Sequence, residues 1–365
     1  MKFPYKKFRS RKTIDVDKIN SVHRFALQSE RILNNGAFKW IEEGSEDGST
    51  SDLNKRIFQN FSIIPKNLVD TSRLSLGNNF FGHSMKNPIL GAPMGHLGAF
   101  HPLGELGVFE GFRRSSGYTF WSCLSRFHFR KIEQVTSDNY PFGIQIYPYG
   151  DIDWIITLIY DAMSYGATTV CLTIDSPVRA ISHSKLPDFD LREFGVGNTW
   201  VNADVDLRSK FTFDSLSKVI DRSPLPIIVK GQLDLSDADQ ILNLGAKGIW
   251  ISNHGGRALN SNMHPIMSLH KVRTLIDQRF DLEYKPVLIA DGGIKTGTDV
   301  LKMLGLGADF VAIGRPLLHG LIVGGIQGVC KVLNLLDHDV ITSLKLAGGV
   351  GYEVVSNRYF HDWEE

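Results

Sequence analysis

The chain has 365 residues, of which 42% are hydrophobic and 22% charged, a balance typical of a globular protein rather than a disordered or fibrous one. Lysine and arginine (40) nearly balance aspartate and glutamate (39), so the net charge of +1 gives no field that would attract nucleic acid or an anionic membrane. We therefore expect a small-molecule ligand, and neither nucleic acid nor a membrane as a partner. The three cysteines show no CxxC spacing, which predicts neither a disulfide framework nor a metal site.

The first 87 residues precede the main pattern of the chain and show helical periodicity near residues 17–43. We predict that residues 1–87 form a helical extension that packs on the following domain. The basic stretch MKFPYKKFRSRK leads into no apolar segment, and no run of eighteen apolar residues occurs later. Together with the unpaired cysteines, these features favour a cytoplasmic protein in a reducing compartment.

From residue 88 onward, short β-branched runs alternate with segments of helical period, which is the pattern of repeated βα units around a parallel sheet. Eight strands are predicted, at residues 88–94, 118–123, 142–148, 168–175, 226–231, 248–256, 286–293 and 310–316. They predict an α/β fold, a (β/α)8 barrel over residues 88–356, followed by a tail at residues 357–365. Residues 176–222 form an unusually long connection after the fourth strand, which favours a lid or binding loop over an idle insertion.

Polar residues within these strands fall at the carboxyl ends of the strands. They are Gln145, Tyr147, Thr173, Asp175, Lys230, His254, Arg257, Asp291, Gly314 and Arg315. Buried parallel strands normally read as apolar runs, and in a barrel their carboxyl ends converge on the face that carries active sites. The pattern therefore predicts a functional site at that face.

Two glycine-rich turns predict a phosphate site. DGGIKTGTD (291–299) and IGRP (313–316) end the seventh and eighth strands, where barrels frequently bind phosphate through backbone N–H groups. Lys295 and Arg315 add a positive charge to each turn. The alternative is that the glycines only make tight strand-to-helix turns, which would not require the two cations.

An acid/base group is predicted at the end of the sixth strand. A carboxylate such as Asp175 beside His254 would orient the imidazole and raise its basicity, as a general base near neutral pH requires. Arg257 can bind an anion, and Lys230 can stabilise an electron-rich ring after reduction. The alternative for Lys230 is an interior salt bridge with Asp175 or Asp291. The chain has no GxSxG, HExxH or GxxxxGK[ST] motif, so serine hydrolase, zincin and nucleotide triphosphatase functions lack support.

Four ordered motifs resemble the FMN-dependent 2-hydroxy-acid oxidases and dehydrogenases, a family that includes glycolate and lactate oxidases. The motifs are VKG (229–231), SNHGGR (252–257), DGGIKTGTDV (291–300) and IGRP (313–316), and the resemblance runs from about residue 38 to 356. It implies a (β/α)8 barrel with FMN across its mouth. It also implies an oxidoreductase that passes the equivalent of a hydride from a 2-hydroxy acid, or a related carboxylate-bearing metabolite, to flavin N5.

The resemblance also implies roles for individual residues. The residues that it places around FMN are Pro93, Met94, Gly95, Ser122, Gln145, Thr173, Lys230 and Ser252, with Asp291, Gly293, Lys295, Gly314 and Arg315 at its phosphate end. His254 would take the substrate proton, with Asp175 as its partner. Arg257 would hold the substrate carboxylate, and Tyr147 would hydrogen-bond the reacting hydroxyl. Oxygen or another acceptor would reoxidise the flavin, and a homo-oligomer is compatible with the family.

Departures from the family pattern lie among the substrate-binding residues. Trp40 stands where the family usually has a carboxylate-binding tyrosine, and Ser182 where it usually has a second carboxylate-binding arginine, although Arg179 is three residues earlier. We therefore expect lactate and glycolate to be poor substrates, and the true substrate to be larger or to be bound through other residues. Two alternatives stay open. One is a flavin barrel with altered chemistry, such as amine oxidation or oxidative decarboxylation. The other is a non-catalytic flavin-binding module, which would have no need of His254 as a base.

Overall fold

The computed structural model describes residues 3–5, 14–134, 139–181, 206–281 and 285–349 of the chain. Two strands form a small antiparallel hairpin, and eight parallel strands close a barrel. The hairpin strands are β1 (Asn78–Phe80) and β2 (His83–Met85), and the barrel strands are β3 (Ile89–Gly91), β4 (Tyr118–Ser122), β5 (Phe142–Ile146), β6 (Ala167–Thr173), β7 (Ile227–Gly231), β8 (Gly248–Ile251), β9 (Val287–Ala290) and β10 (Phe310–Ile313). Each barrel strand pairs with its neighbours in sequence, and β10 pairs with β3. All eight predicted strands are confirmed.

Helices alternate with the barrel strands, which confirms the (β/α)8 architecture. The α-helices are α1 (Val22–Ile32), α2 (Asn35–Glu42), α3 (Ser49–Arg56), α4 (Gly104–Arg114), α5 (Ile152–Ser164), α6 (Phe213–Arg222), α7 (Leu235–Asn243), α8 (Ile266–Arg279), α9 (Gly297–Gly305) and α10 (Arg315–Leu346). Between β4 and β5 the described helix is a 3-10 helix, Phe129–Gln134, rather than an α-helix. The strands are almost fully buried, because the helices cover the outside of the barrel and side chains fill its interior.

Most of the strands end earlier than the sequence predicts. The fourth predicted strand, 168–175, stops at Thr173, and the sixth, 248–256, stops at Ile251. The residues that follow turn into the mouth of the barrel, and His254–Gly256 form a 3-10 turn. Backbone with positive φ, as at His254 (φ 57°), cannot continue a strand ladder. The polar tips are thus loop residues at strand ends rather than paired strand residues.

The connection after the fourth barrel strand is long but ends before the predicted residue 222. Phe213–Arg222 form α6, so the predicted loop 176–222 is wrong over its last ten residues. The side chain of Thr212 accepts a hydrogen bond from the backbone N–H of Ser215, which caps the helix, and Leu216 and Val219 bury its apolar face. Residues 182–205, which include Ser182, lie outside the described part of the chain.

Residues 1–87 were predicted to form a helical extension, but the segment also contains the β1–β2 hairpin. Asn34 separates α1 from α2, and its side chain caps α2 by accepting a hydrogen bond from the N–H of Ala37. The β1–β2 hairpin turns through Phe81 and Gly82, both with positive φ, as a two-residue hairpin turn requires. The ring of Phe80 packs inside the amino-terminal end of the barrel, 4.7 Å from the ring of Tyr118. The hairpin thus closes the end of the barrel opposite the predicted site. The predicted tail, residues 357–365, lies outside the described residues.

Helix α10 is long and apolar enough to cross a membrane by length and composition alone. However, 56% of its most apolar window is buried within the protein, where α10 packs against α1, α4 and α9. The helix also bends at Gly324 and Gly325, whose backbone angles are not helical. These are the features of a core helix that completes a barrel.

Candidate functional site

A cavity of about 480 Å³ opens at the carboxyl ends of the barrel strands. Its volume lies in the range of small-molecule and cofactor sites. Most of the predicted site residues line it: Trp40, Pro93, Met94, Gly95, Gln145, Tyr147, Thr173, Lys230, His254, Arg257, Asp291, Gly293, Lys295, Gly314 and Arg315. Three others, Ser122, Asp175 and Ser252, lie behind the wall and contact residues that line it. The structure thus brings together the residues that the strand-end pattern selects.

His254 lies between a carboxylate and a phenol. Its Nδ1 is 2.9 Å from Oδ1 of Asp175, and its Nε2 is 3.0 Å from the hydroxyl of Tyr147. An ionised carboxylate can only accept, so Nδ1 carries the hydrogen and donates it to Asp175. In the neutral ring, Nε2 therefore keeps a lone pair and accepts from Tyr147. The imidazole presents a basic nitrogen to the cavity.

The surroundings of this hydrogen-bonded triad fix the charge states of Asp175 and Tyr147. Burial by itself would raise the pKa of Asp175, but the electrostatic interaction with His254, the positive charge of Lys230 and the hydrogen bond from His254 outweigh burial and lower it. Burial, together with the charge of Asp175, raises the pKa of Tyr147 well above its usual value. Asp175 is therefore an anion and Tyr147 a neutral hydrogen-bond donor at neutral pH.

The turn that carries His254 is held by the segment before the barrel. The buried side chains of Asn54 and Asn253 exchange two hydrogen bonds, of 2.9 and 2.7 Å, which tie α3 to the residue before His254. Gly256 has a φ of 78°, and a Cβ atom there would lie 2.5 Å from the backbone nitrogen of Ser51. Only glycine fits this approach, so the position of the imidazole depends on α3.

Lys230 and Asp291 form a buried charged pair on the cavity wall. Nζ of Lys230 donates to the hydroxyl of Ser252 over 2.7 Å and lies 3.8 Å from Oδ2 of Asp291. Burial would lower the pKa of Lys230, but Asp291 and Asp175 raise it, so the ammonium keeps its charge. The salt bridge considered from the sequence does form, with Asp291, and Lys230 still reaches the cavity.

A second series of hydrogen bonds joins polar side chains at the ends of β4, β5 and β6. Oγ of Ser122 donates to Oε1 of Gln145 over 2.7 Å, and Nε2 of Gln145 donates to Oγ1 of Thr173 over 3.0 Å. These bonds fix the orientation of the Gln145 amide, which lines the cavity between Ser122 and Thr173. An ordered row of polar groups here suits the edge of a flat heterocycle that carries both donors and acceptors.

The residues at the other end of the cavity fit the phosphate and ribityl parts of FMN. Gly292 and Gly293 have φ values of 110° and 72°, and no described side chain caps the amino terminus of α10 at Gly314. Backbone N–H groups and the positive end of a helix attract a phosphate there. Oδ1 of Asp291 is buried without a hydrogen-bond partner among the described residues, and a ribityl hydroxyl would satisfy it.

The two arginines of the site are anchored to the end of α2. Arg257 donates through Nη1 to the carbonyl of Trp40 over 2.7 Å, and its guanidinium lies 4.2 Å from the centre of the Trp40 indole. Arg315 donates to the carbonyls of Ile41 and Gly255, over 2.9 Å in each case. Burial and the charge of Arg315 lower the pKa of Arg257 to about 10, so the guanidinium is still a cation at neutral pH.

Sequence reasoning missed several residues of the cavity wall. Glu42 accepts a hydrogen bond of 3.0 Å from Nε2 of His319. Burial would raise the pKa of Glu42, but His319, Arg315 and Lys55 lower it to about 2. No spacing in the sequence relates residues 42 and 319. His96 could have been found, because it follows the tip of β3 just as His254 follows β8. Arg179 is exposed and is not among the described residues that line the cavity.

A buried carboxyl group holds the loop after β3. Oε1 of Glu105 accepts hydrogen bonds from the backbone N–H groups of Leu97 (2.9 Å) and Arg126 (3.4 Å), and its Oε2 has no partner among the described residues. Burial raises the pKa of Glu105 to about 7. The folded protein therefore keeps a proton on Glu105 that the unfolded chain loses between pH 4.5 and 7.

We expect Glu105→Gln to change how stability depends on pH. The parent should lose stability from about pH 4.5 to 7 and level off above it, and a shift from 4.5 to about 7 corresponds to about 3 kcal/mol. Glutamine accepts the same two hydrogen bonds and does not titrate. The free energy of unfolding of the variant, relative to that of the parent, should therefore rise between pH 5 and 8. Urea unfolding at fixed FMN concentration measures the difference. Parallel pH profiles would contradict a raised pKa at Glu105.

Comparisons with known proteins agree with this geometry. Residues 29–361 match the FMN-dependent dehydrogenase family. The chain is 32% identical to the L-lactate oxidase of Lacticaseibacillus rhamnosus (strain LMS2-1), over 91% of this chain and 92% of that protein. It is also 32% identical to the 2-hydroxyacid oxidase of Dictyostelium discoideum, over 97% of this chain and 93% of that one. A crystal structure of mandelate oxidase superimposes with a TM-score of 0.85 and 27% identity, covering 94% of this chain and 98% of that one.

The match spans most of the chain, and it includes the strand ends that form the cavity. The expected family and cofactor are therefore confirmed. This chain belongs to the FMN-dependent dehydrogenase family and is an FMN-dependent oxidoreductase of the 2-hydroxy-acid oxidase type.

Proposed function

We propose that this enzyme oxidises a 2-hydroxy acid, with His254 as the base. The chain Tyr147–His254–Asp175, open to the cavity beside Arg257 and Lys230, is the observation that carries the proposal. FMN, when bound, supplies the acceptor for the hydride equivalent that leaves the substrate carbon. The protein must therefore bind the substrate anion, orient its hydroxyl and remove one proton.

Each of these steps has a residue in the cavity that is placed to perform it. Arg257, a buried cation, attracts the substrate carboxylate. Tyr147, a neutral phenol, donates to the substrate oxygen in place of Nε2 of His254, and the freed lone pair of Nε2 takes the hydroxyl proton. The carboxylate of Asp175 stabilises the imidazolium that results, because it already accepts the hydrogen of Nδ1. Lys230 keeps a positive charge on the cavity wall that favours negative charge developing nearby.

The functional experiment is an anaerobic screen for bleaching of bound FMN. Glycolate, lactate, mandelate and longer 2-hydroxy acids form one arm, and amino acids form the other. Rapid bleaching by at least one hydroxy acid is expected. Bleaching by amino acids alone would favour amine oxidation and contradict the proposal. Bleaching by neither arm would indicate altered chemistry or a non-catalytic flavin-binding protein. In the same proposal, the enzyme is cytoplasmic, and oxygen or another acceptor reoxidises the flavin.

We further propose that the substrate is larger than lactate or glycolate. The indole of Trp40 lies against Arg257 and packs 5.3 Å from the ring of Phe100, which makes the wall beside the arginine apolar. A small hydroxy acid must be held mainly by its carboxylate, and each charge-assisted hydrogen bond that is missing costs about 1.5–3 kcal/mol. A larger substrate can regain binding energy by contact with the indole.

Substrate size is tested by comparing three proteins. The parent should be reduced by mandelate or a longer-chain hydroxy acid at concentrations at least about tenfold lower than lactate requires. The double substitution Trp40→Tyr with Ser182→Arg should narrow that difference, and Arg179→Ala should leave it unchanged. Efficient reduction of the parent by lactate, lost in Arg179→Ala, would show that Arg179 supplies the second carboxylate contact and would contradict the size argument.

A further inference from the structure

His96 is a histidine of the cavity wall that has no role in the mechanism above. It follows β3 directly after the segment Pro93–Gly95 and lines the same cavity as Arg257 and Tyr147. Its backbone has a φ of 63° and a ψ of 18°, in the left-handed region. Few residues other than glycine adopt this conformation, although histidine does so more often than most. A strained residue of this kind, held in a ligand cavity, is a candidate for function.

The strained conformation is held from several sides. The backbone N–H of His96 donates to the carbonyl of Leu124 over 3.1 Å, and the carbonyl of His96 accepts from the N–H of Ala99 over 2.9 Å. The next N–H, that of Leu97, donates to the carboxyl group of Glu105. These bonds fix the direction in which the side chain leaves the backbone.

The ring of His96 lies in a desolvated and positively charged environment. Burial, and then the charge of Arg257, lower the pKa of His96 to about 4, so the ring is neutral at physiological pH. A neutral imidazole has one N–H donor and one acceptor nitrogen. Within the described residues, the ring makes no hydrogen bond to another group of the protein. A ligand that displaces water from the cavity would leave the ring unsatisfied unless the ligand itself supplies a partner.

Part of the Arg257 guanidinium is already occupied by the protein backbone. Its Nη1 atom is already shared among the carbonyl oxygens of Trp40, Ile41 and Glu43, at 2.7, 3.4 and 3.2 Å. The wall beside it is the apolar face of Trp40. A carboxylate has two oxygens with about four acceptor sites, so it can take further donors once it has met the guanidinium. The N–H group of a nearby neutral imidazole is such a donor.

We propose that His96 is a second substrate-binding residue, whose ring N–H donates a hydrogen bond to the carboxylate that Arg257 attracts. The inference rests on the proposed function in that the substrate carries a carboxylate. Position 40 carries a tryptophan instead of the usual tyrosine, so the tyrosine hydroxyl is absent as a donor to the carboxylate. The proposal assigns a donor in the loop after β3 instead. The ligand class is an anionic 2-hydroxy or 2-oxo acid.

The test is an equilibrium titration of the FMN-bound enzyme. Oxalate serves as a small planar dianion, and oxamide as its uncharged counterpart of similar shape. Binding is followed by the change in the absorbance spectrum of bound FMN. His96→Gly removes the ring and tolerates φ 63° without strain, and His96→Asn keeps an N–H donor in a residue that also tolerates this conformation.

The expected result is specific to the anion. His96→Gly should raise the Kd of oxalate by about tenfold or more, since a hydrogen bond to a charged group contributes about 1.5–3 kcal/mol. It should leave the Kd of oxamide nearly unchanged, and His96→Asn should bind oxalate more tightly than His96→Gly. An unchanged Kd for oxalate in His96→Gly, or an equal loss for oxalate and oxamide, would overturn the assignment.

A second measurement separates this inference from the proposed function. At saturating substrate, His96→Gly should still reduce its flavin, because Nε2 of His254 and its partner Asp175 are in place. The half-saturating substrate concentration should rise instead. Failure of every hydroxy acid to reduce the parent enzyme would contradict the proposed function, while the oxalate titration would still decide whether His96 binds an anion.

Discussion

We expect His254→Gln to lower the rate of flavin reduction by substrate by ~100- to 10,000-fold while FMN stays bound. The reason is that His254 combines a basic nitrogen at the cavity with a carboxylate partner. Its Nε2 contacts Tyr147, and its Nδ1 contacts Asp175. Among the described residues, only His254 has this arrangement. Glutamine can keep a hydrogen bond to Asp175 but cannot accept a proton at neutral pH. Anaerobic stopped-flow reduction at saturating substrate measures the rate of proton and hydride removal without the later reaction with an acceptor.

Two controls separate loss of the base from distortion of its turn. His254→Asn tolerates the φ of 57° better than glutamine does, and it should be equally slow. Tyr147→Phe removes a hydrogen-bond partner but keeps the base, so it should retain more activity than either variant. A reduction rate of His254→Gln close to that of the parent would show that another group takes the proton.

The second large effect is expected for Gly293→Ala in the loop after β9. A Cβ atom at Gly293 would lie 1.8 Å from the backbone oxygen of Asn54, and the φ of 72° is unfavourable for alanine. The backbone of α3 or of the loop must move, which should cost about 3 kcal/mol or more in the free energy of unfolding. Because the same loop faces the phosphate end of the cavity, the variant should also bind FMN more weakly.

Gly82→Ala is the matched control for this substitution. Gly82 has a similar positive φ of 87°, but no atom lies within 4 Å of a Cβ placed there. Its substitution should cost only the left-handed strain of about 1–2 kcal/mol. Urea unfolding of both variants and the parent, with and without added FMN, separates backbone strain from steric overlap and cofactor loss. Equal destabilisation by the two substitutions would mean that the loop and α3 can move apart freely.

The strands and the strand-end residues were predictable because one rule determines both. A barrel buries its strands on both faces, so apolar runs identify the strands and polar residues at their ends identify the mouth. Tyr147, Lys230 and His254 were selected in this way, and all three line the cavity. The exact ends were not predictable, because the turn at His254 depends on positive φ values that the sequence indicates only through Gly255 and Gly256.

Contacts between distant segments were beyond sequence reasoning. The hydrogen bond between Glu42 and His319 and the paired amides of Asn54 and Asn253 each join residues about 200 or more positions apart. No periodicity relates such positions, because they come together only in the folded barrel. The end of the long connection was misjudged for another reason. Its mixture of polar residues concealed an amphipathic helix, Phe213–Arg222.

The contact of α3 with the loops after β8 and β9 limits which chimeras of this protein and its relatives would be active. The carbonyl of Asn54 lies where Gly293 has no side chain, and Ser51 lies where Gly256 has none. A recombination at residue 88 would join a complete barrel to an α3 that was never fitted to those loops. Such a chimera would keep every barrel strand and every catalytic side chain. It would still misplace both His254 and the phosphate-binding loop after β9. The amino-terminal segment and the barrel must therefore be transferred together for activity to be kept.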